Sequence, residues 1–336
     1  MRMIRFKHSF AFKFILYILT CIAVIFLLLL IYNYRAGEKA IKNNLRNNSR
    51  NLVTDVIGKI STFLGTVPEI TQDISEELES YDITQEKIME LLKTKIKNCE
   101  NISGSTIAFE PYAFEKNKFF LGRYFYRAGN DIKYVDLGAE NNCFKSDLYT
   151  IPKKLNKGVW SEPHFNRWGR DTLMVTYSQP LYKTVKGEQK FCGVVTGDID
   201  LCHLKRFVSD IKIFETGYIF ILSSKGVYIE HKDKEHTDLR KSIFFLAESR
   251  GDIKLKELGE KMTSNQFGFE DYYSYTLGKK CFISYGPLLE TGWSVGVVIP
   301  KDEIFSDLHA AIRNLFTLGV AGYILIIVLV VISFLN

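Results

Sequence analysis

No two of the six cysteines stand in a C-x-x-C pair, and Cys21 lies inside an apolar run. The other five, Cys99, Cys143, Cys192, Cys202 and Cys281, are odd in number and widely spaced, which argues against a disulfide framework or a zinc site. Free, mostly buried thiols are the simpler reading. Gly-rich phosphate loops, G-x-S-x-G and H-E-x-x-H are missing as well, so no catalytic constellation is present and no cofactor is expected. The run from Glu230 to Asp238 holds Glu, His and Asp, but Lys232 and Lys234 interrupt it and no metal-ligand spacing emerges; it reads as a solvated loop, with no metal. The net charge of +6 is modest, and no Lys/Arg run is interleaved with aromatics, which excludes nucleic acid as an expected partner.

Charge is missing altogether from two stretches, Phe14 to Asn33 and Leu315 to Leu335. As a helix, the first is about 30 Å long, enough to span a bilayer. It is too long for a signal peptide, and Tyr32-Asn33-Tyr34-Arg35 follows it where a small-x-small cleavage site would stand. Arg2, Arg5, Lys7 and Lys13 precede it without an acid, which places the N-terminus in the cytoplasm. Two spans then leave residues 34–314 in the periplasm or outside the cell, in a multi-pass protein of the bacterial inner membrane. The second run ends next to Asn336 with no basic cluster after it, which prompts the expectation of a cytoplasmic output module beyond it.

Between the spans, 46% apolar and 24% charged residues are globular composition, with length for two domains. From Ala36 to Ser80, Ile41, Leu45, Leu52, Val56, Ile60, Phe63, Val67, Ile70, Ile74 and Leu78 recur at steps of three, four or seven, predicting one long helix that Pro68 should bend. The stripe next to the first span is a possible seam of a parallel homodimer. Thr84 to Lys97 is a second helix capped by Thr84. From Ser103 the period changes to two: Thr106 to Phe109, Phe119 to Tyr126 and Ile132 to Asp136 are predicted strands, and Phe144 to Lys154 a partly helical connector. Thr172 to Tyr182 and Phe191 to Ile199 are the central strands, joined by a charged turn around Gly187. A helix over Leu201 to Ile213 leads out.

Tyr218 to Ser223, Val227 to His231, Gly268 to Tyr275, Lys280 to Leu288 and Trp293 to Ile299 are predicted strands of a second sheet. Helices are expected at Asp238 to Arg250 and Asp252 to Met262. An internal echo links the two regions. Ser178-Gln179-Pro180-Leu181 followed by Gly193-Val194-Val195 matches Tyr285-Gly286-Pro287-Leu288 followed by Gly296-Val297-Val298, and an acidic, helix-starting segment follows each. The expected fold is therefore α+β: a long N-terminal helix and two tandem antiparallel-sheet modules with helices on one side, flanked by two transmembrane helices. The segments are 1–13 (cytoplasmic), 14–33 (first span), 34–100 (helical stalk and second helix), 101–213 (membrane-distal module), 214–300 (membrane-proximal module), 301–314 (juxtamembrane helix) and 315–335 (second span).

The chemistry concentrates at one end of the central strands. Trp160, His164, Asn166 and Trp168 lie on the entry loop, Tyr177 on the strand, and Asp198 and Asp200 at the exit. Aromatic faces converging with a carboxylate suit a small polar or cationic ligand. Each has a plainer role: Asp198 or, better placed, Asp200 as a helix cap, the tryptophans as packing, His164 as a hydrogen-bonded structural residue.

Two spans around a long helix and tandem PAS-like modules resemble the double Cache sensors of bacterial receptors, found on chemoreceptors, histidine kinases, cyclic-dinucleotide enzymes and SpoIIE-like serine phosphatases. The phrases WSEPHFN, MVTYSQPLY, GVVTGDIDL, ETGYIFILSSKG and ETGWSVGVVIPKDEIF are most similar to the phosphatase sensors, and the resemblance covers about residues 34–310. It implies that the distal module binds the ligand and that Asp198 takes a ligand ammonium. It maps an aromatic-x-acid pair onto His164 and Asn166. An Arg-x-Trp-Tyr motif falls on Ser146 to Tyr149, where only Tyr149 survives; without the guanidinium, a standard amino acid lacks its carboxylate partner. The expected function is transmembrane sensing of a small molecule by a chain that is not itself an enzyme. The alternatives are the input half of a SpoIIE-like phosphatase or a sensor kinase, and a membrane-anchored binding module without signalling.

Overall fold

In the computed structural model, residues 10–80, 84–114, 122–137, 143–166, 172–185, 187–237 and 241–335 are described. They fall into two compact units, Met1–Ser49 with Pro300–Asn336, and Arg50–Ile299.

The first unit contains the apolar part of α1 (Phe10–Ser80) and α8 (Ser306–Leu335). Both helices are long and apolar enough to cross a membrane. They touch through small residues: a Cβ on Gly319 would collide with the Phe26 ring, and one on Gly37 would reach Leu308 Cδ1 at 2.7 Å. The Tyr34 and His309 rings stack at 5.9 Å. A helix from Lys301 straight into the second span was expected. In the structure α7 (Lys301–Ile304) and α8 are separated by the single residue Phe305, and helical bonds span it: its N–H donates to the Lys301 carbonyl at 3.0 Å and its carbonyl accepts from the His309 N–H at 2.9 Å.

In the second unit, the later part of α1 buries Val53, Val56, Ile60, Leu64, Val67, Thr71 and Ile74. This stripe is rotated from the expected one: Leu52, Phe63, Ile70 and Leu78 are only half-buried, and Val53, Leu64 and Thr71 take the core. Pro68 sits inside the helix without ending it. Beside it, the Thr71 hydroxyl donates to the carbonyls of Val67 (2.9 Å) and Pro68 (3.0 Å). The second helix, α2 (Gln85–Asn98), is capped by Thr84, whose side chain accepts from the Lys87 N–H.

The first sheet contains β1 (Gly104–Phe109), β2 (Gly122–Ala128), β3 (Asp131–Asp136), β4 (Val159–Trp160), β5 (His164–Phe165), β6 (Leu173–Val185) and β7 (Glu188–Asp200), in the order β3-β2-β1-β7-β6-β4, with β5 also on β6. The central hairpin is longer than the sequence suggests. Its strands pair out to Val185↔Glu188, with a register shift at Leu181/Tyr182, so the charged stretch is strand on both sides of the turn. The connector before it is a regular helix, α3 (Asp147–Leu155), capped by Ser146 and ended by Asn156 in the left-handed region at φ 52°. The exit helix α4 (Leu201–Ser209) ends earlier than expected, at Asp210.

The second sheet, β8 (Tyr218–Leu222), β9 (Tyr228–Glu230), β10 (Gly268–Ser274), β11 (Lys279–Leu288) and β12 (Trp293–Pro300), runs β10-β11-β12-β8-β9. Read from β4, the first sheet repeats this order, β4-β6-β7-β1-β2, and adds β3. The echoed segments are β6/β7 and β11/β12, neighbours at the heart of each sheet. Helices α5 (Ile243–Arg250, capped by Ser242) and α6 (Ile253–Thr263, capped by Asp252) pack on one face against Phe220, Tyr228, Ile283 and Tyr285. The start of α5 thus lies at Ile243; Asp238, where the sequence suggested it, lies outside the described residues.

Helices on one side only was the expectation, and the structure covers both faces. A Cβ on Gly197 (β7) would approach Val67 Cγ1 of α1 to 2.5 Å, and one on Gly286 (β11) would reach Ile57 Cδ1 at 3.1 Å. Both faces of each sheet carry small or apolar residues, so each needs a partner layer.

Candidate functional site

The site grows from the register of β4, β5 and β7 on β6. Pairing joins Val159 to Ser178, Trp160 to Tyr177, His164 to Met174 and Asp198 to Thr176. Side chains alternate along a strand, so Thr176 and Ser178 share one face and Tyr177 takes the other. Gly197, opposite Tyr177, faces α1, which places Tyr177 on the α1 side. The Trp160 ring joins it at 5.4 Å and also meets Trp293 at 5.9 Å.

The opposite face holds a buried polar network. Asp198, 4% exposed, accepts a hydrogen bond from Thr176 Oγ1 at 2.7 Å. His164 Nε2 lies 3.4 Å from the same hydroxyl. Asn166 Nδ2 donates to the Tyr124 hydroxyl at 2.6 Å. That hydroxyl stands over Gly104, the residue opposite Asp198 on β1, where a Cβ would meet it at 2.5 Å. Burial pushes the Asp198 carboxyl above the ordinary carboxylate range, while the Thr176 hydroxyl, His164 and the Tyr124 hydroxyl act in the other direction. Ser161 locks the loop that carries His164. Its N–H donates to the Thr176 carbonyl (2.8 Å), and its hydroxyl accepts from the Thr176 N–H (3.0 Å) and donates to the Glu162 carbonyl (2.8 Å).

A cavity of about 480 Å³ opens beside this network, within the usual range for small-molecule sites. Its walls are the first turns of α3 (Ser146 to Leu148, and Ile151), the segment Val159 to His164, Ser178, and Ser224 and Lys225 from the β8–β9 turn.

The residues expected to form one pocket therefore divide. Asp198, His164 and Asn166 come together. Of these, His164 reaches the cavity, as does Trp160, whereas Asp198 lies behind Thr176 and His164 and is not part of the wall. Asp198 is not the cap of α4 either: Asp200 is, accepting from the Cys202 N–H at 2.8 Å. Tyr149 sits farther along the same face, edge-on to Phe144 (5.1 Å) and Phe191 (5.8 Å), with its hydroxyl donating to Glu110 Oε1 at 2.8 Å. Burial, and next the bond to Glu110, raise its phenol well above the ordinary value. Tyr177 is on the α1 face. Trp168 lies outside the described residues. Sequence reasoning missed Thr176, Ser178, Tyr124 and Glu162. For the first two the signal was present: polar residues at alternate positions of a strand with both faces covered. Among the described residues, no cluster of three or more His, Cys, Asp or Glu could hold a metal.

Residues 88–206 match the family model of the first PDC sensor domain of methyl-accepting chemotaxis protein-like proteins, and residues 195–305 match a Cache-domain model. The chain thus carries a chemotaxis-protein-like PDC sensor domain followed by a Cache domain. Solved structures share the fold. The periplasmic sensory domain of the Campylobacter jejuni chemoreceptor Tlp1 is similar at TM-score 0.58 and 15% identity, over 79% of this chain and 98% of that one. The ligand-binding domain of the Pseudomonas aeruginosa PAO1 amino acid chemoreceptor PctB, in complex with L-Gln, matches at 0.55 and 16%, over 80% and 99%. The extracellular domain of mmHK1S-Z3, described as a histidine kinase, matches at 0.61 and 22%, over 83% and 98%. Along the chain, the matched residues lie between two helices that are long and apolar enough to cross a membrane.

Proposed function

We propose that this chain is the sensing part of a transmembrane receptor. A small molecule binds in the first module, and the change passes through the second module to β12, α7 and α8. The observation that carries this reading is the cavity itself, which takes its walls from the first module and from the β8–β9 turn of the second. A ligand there touches both modules, and β12 runs into α7 without an intervening loop residue. Binding shifts the receptor only if one arrangement of these walls holds the ligand more tightly than another. In this reading Asp198 acts through Thr176 and His164, fixing the cavity wall. The two apolar helices anchor the receptor in the cell membrane, with the sensor on the extracytoplasmic side. The output is a chemoreceptor, kinase or phosphatase module on the cytoplasmic side, which sequencing of the reading frame past Asn336 identifies.

The test is a thermal-shift screen of the full chain in detergent against amines, organic acids, amino acids and purines. A specific ligand raises the melting temperature by mass action. The shift should disappear when Ser178→Tyr fills the cavity. A screen in which no compound shifts the protein, or a hit that Ser178→Tyr leaves unchanged, sinks the reading.

A further inference from the structure

Two polar atoms at the cavity have no hydrogen-bond partner among the described residues. One is Oγ of Ser178, on a residue only 1% exposed; the other is Oε2 of Glu162. Buried polar groups are satisfied in the great majority of cases, and an orphan demands an explanation. The second Glu162 oxygen is already engaged: Oε1 accepts from Ser224 Oγ of the second module at 2.7 Å. A carboxylate oxygen can only accept, so what completes Glu162 must be a donor, and a hydroxyl can meet either kind of group. Charge narrows the choice. Among the described residues, Asp147 and Glu162 stand on the wall with Lys225, which is exposed, and with His164, whose Nε2 is turned to Thr176. Leu148, Ile151, Val159 and Pro163 supply an apolar surface beside them. Asp198, the other carboxylate of this end, is closed off behind Thr176.

Resting on the sensing reading above, we propose that the ligand is an organic primary amine. Its ammonium is held by Glu162 Oε2, its apolar stem lies on Leu148, Ile151 and Val159, and Ser178 Oγ takes a further polar hydrogen or lone pair. An ammonium offers three donors, and its hydrogen bond to a carboxylate is of the strong, charge-assisted kind. Because Ser224 holds the same carboxylate from the second module, ligand and second module share one side chain. Occupation of Oε2 fixes Glu162 in the position from which it grips Ser224.

The experiment is calorimetric titration of the full chain in detergent with butylammonium, 2-phenylethylammonium, ethanolammonium and 1,4-butanediammonium. Tetramethylammonium, which has charge but no N–H, and butanol, which has the stem but no charge, serve as controls. At least one primary ammonium should bind while both controls do not. Glu162→Gln should weaken that binding by about ten- to hundred-fold, as expected for a lost charge-assisted bond. Ser178→Ala should weaken it about two- to ten-fold, and Ser224→Ala similarly. Glu248→Gln, an exposed residue of α5 that is not on the wall, should stay within about two-fold of wild type. Melting temperature without ligand controls for folding, and Glu162→Asp keeps the charge should Glu162→Gln unfold. Failure of every primary ammonium, or equal affinity of wild type and a folded Glu162 variant, overturns the proposal. If the thermal-shift screen has meanwhile given an organic acid or purine whose binding Ser178→Tyr abolishes, the sensing reading stands and only the amine falls.

Discussion

The two modules have the same strand order and opposite interiors. Aligned on the echoed segments, Thr176 and Ser178 of the first sheet occupy the places of Ile283 and Tyr285 in the second. The second set is 2% exposed or less and fills its core under α5 and α6. The Tyr285 ring lies over Gly268, and its hydroxyl donates to Glu270 Oε1 at 3.0 Å. In the first module the corresponding side chains are small and polar. The space that a tyrosine would occupy there coincides with the wall of a cavity, at Ser178. One duplicated frame thus gives a module that is solid at these two positions and one that is hollow there.

The largest effect expected from breaking this contrast is in the solid module. Tyr285→Ala leaves a cavity under α6 and frees Glu270 from its hydroxyl. Aromatic-to-alanine changes in cores cost about 3–5 kcal/mol. For a unit of this size, that is a fall in melting temperature of roughly 6–20 °C. The first-module counterpart, Ser178→Ala, should change stability by less than about 1 kcal/mol, because its hydroxyl has no partner to lose. Calorimetric melting of both variants checks the pair. Equal destabilisation would mean that the first module is as tightly filled as the second.

A second effect is confined to the solid module and depends on pH. Glu230 on β9 is 5% exposed, and burial raises its carboxyl to about 7, against the opposing pull of Lys205 at 3.6 Å. A pKa raised in the folded state favours the protonated form. Its stabilising contribution is therefore present below the unfolded value near 4.5 and is lost as pH rises through about 7. The full span is worth at most about 3 kcal/mol. Glu230→Gln should flatten the melting temperature between pH 5 and pH 8 and should exceed wild type at the upper end. A wild-type profile already flat over that window would show that Lys205 keeps the carboxylate charged.

Much of this contrast was legible before folding. The uncharged runs, the change of period at Ser103, the repeated Pro-Leu and Gly-Val-Val phrases and the Thr84 cap depend on local pattern, and local pattern is what a sequence displays. The site was less legible because it depends on register. Trp160, Tyr177 and Asp198 are close along the chain or across a strand pair, yet alternation sends Tyr177 to α1 and Asp198 to the other face. The two-residue strands β4 and β5 are too short to leave a period, and they decide which residues meet. The buried stripe of α1 followed the same logic. Apolar residues at Leu52, Val53, Phe63 and Leu64 leave two neighbouring stripes open, and contact with Gly197 selects the one through Val67 and Thr71.

The smallest effect separates the two aspartates at the exit of β7, of which the sequence already favoured Asp200 as the helix cap. Asp200 caps α4 through the Cys202 N–H, and the corresponding position in the second module has no such bond, since Pro300 begins α7 without a side-chain cap. Asp200→Ala should cost about 1 kcal/mol, and Asp200→Asn, which preserves the cap, only a few tenths. Asp198 should show a different signature. Its folded pKa is raised mainly by burial, so its carboxyl favours the folded state at acid pH and loses that advantage as pH rises. Asp198→Asn keeps an acceptor for the Thr176 hydroxyl and removes the titration. It should leave stability near wild type at pH 5 and raise it, relative to wild type, by pH 8. Chemical denaturation of the two variants at both pH values distinguishes them. A loss of about 1 kcal/mol for Asp198→Asn at both pH values, with none for Asp200→Ala, would reverse the roles that the hydrogen bonds of β6, β7 and α4 assign.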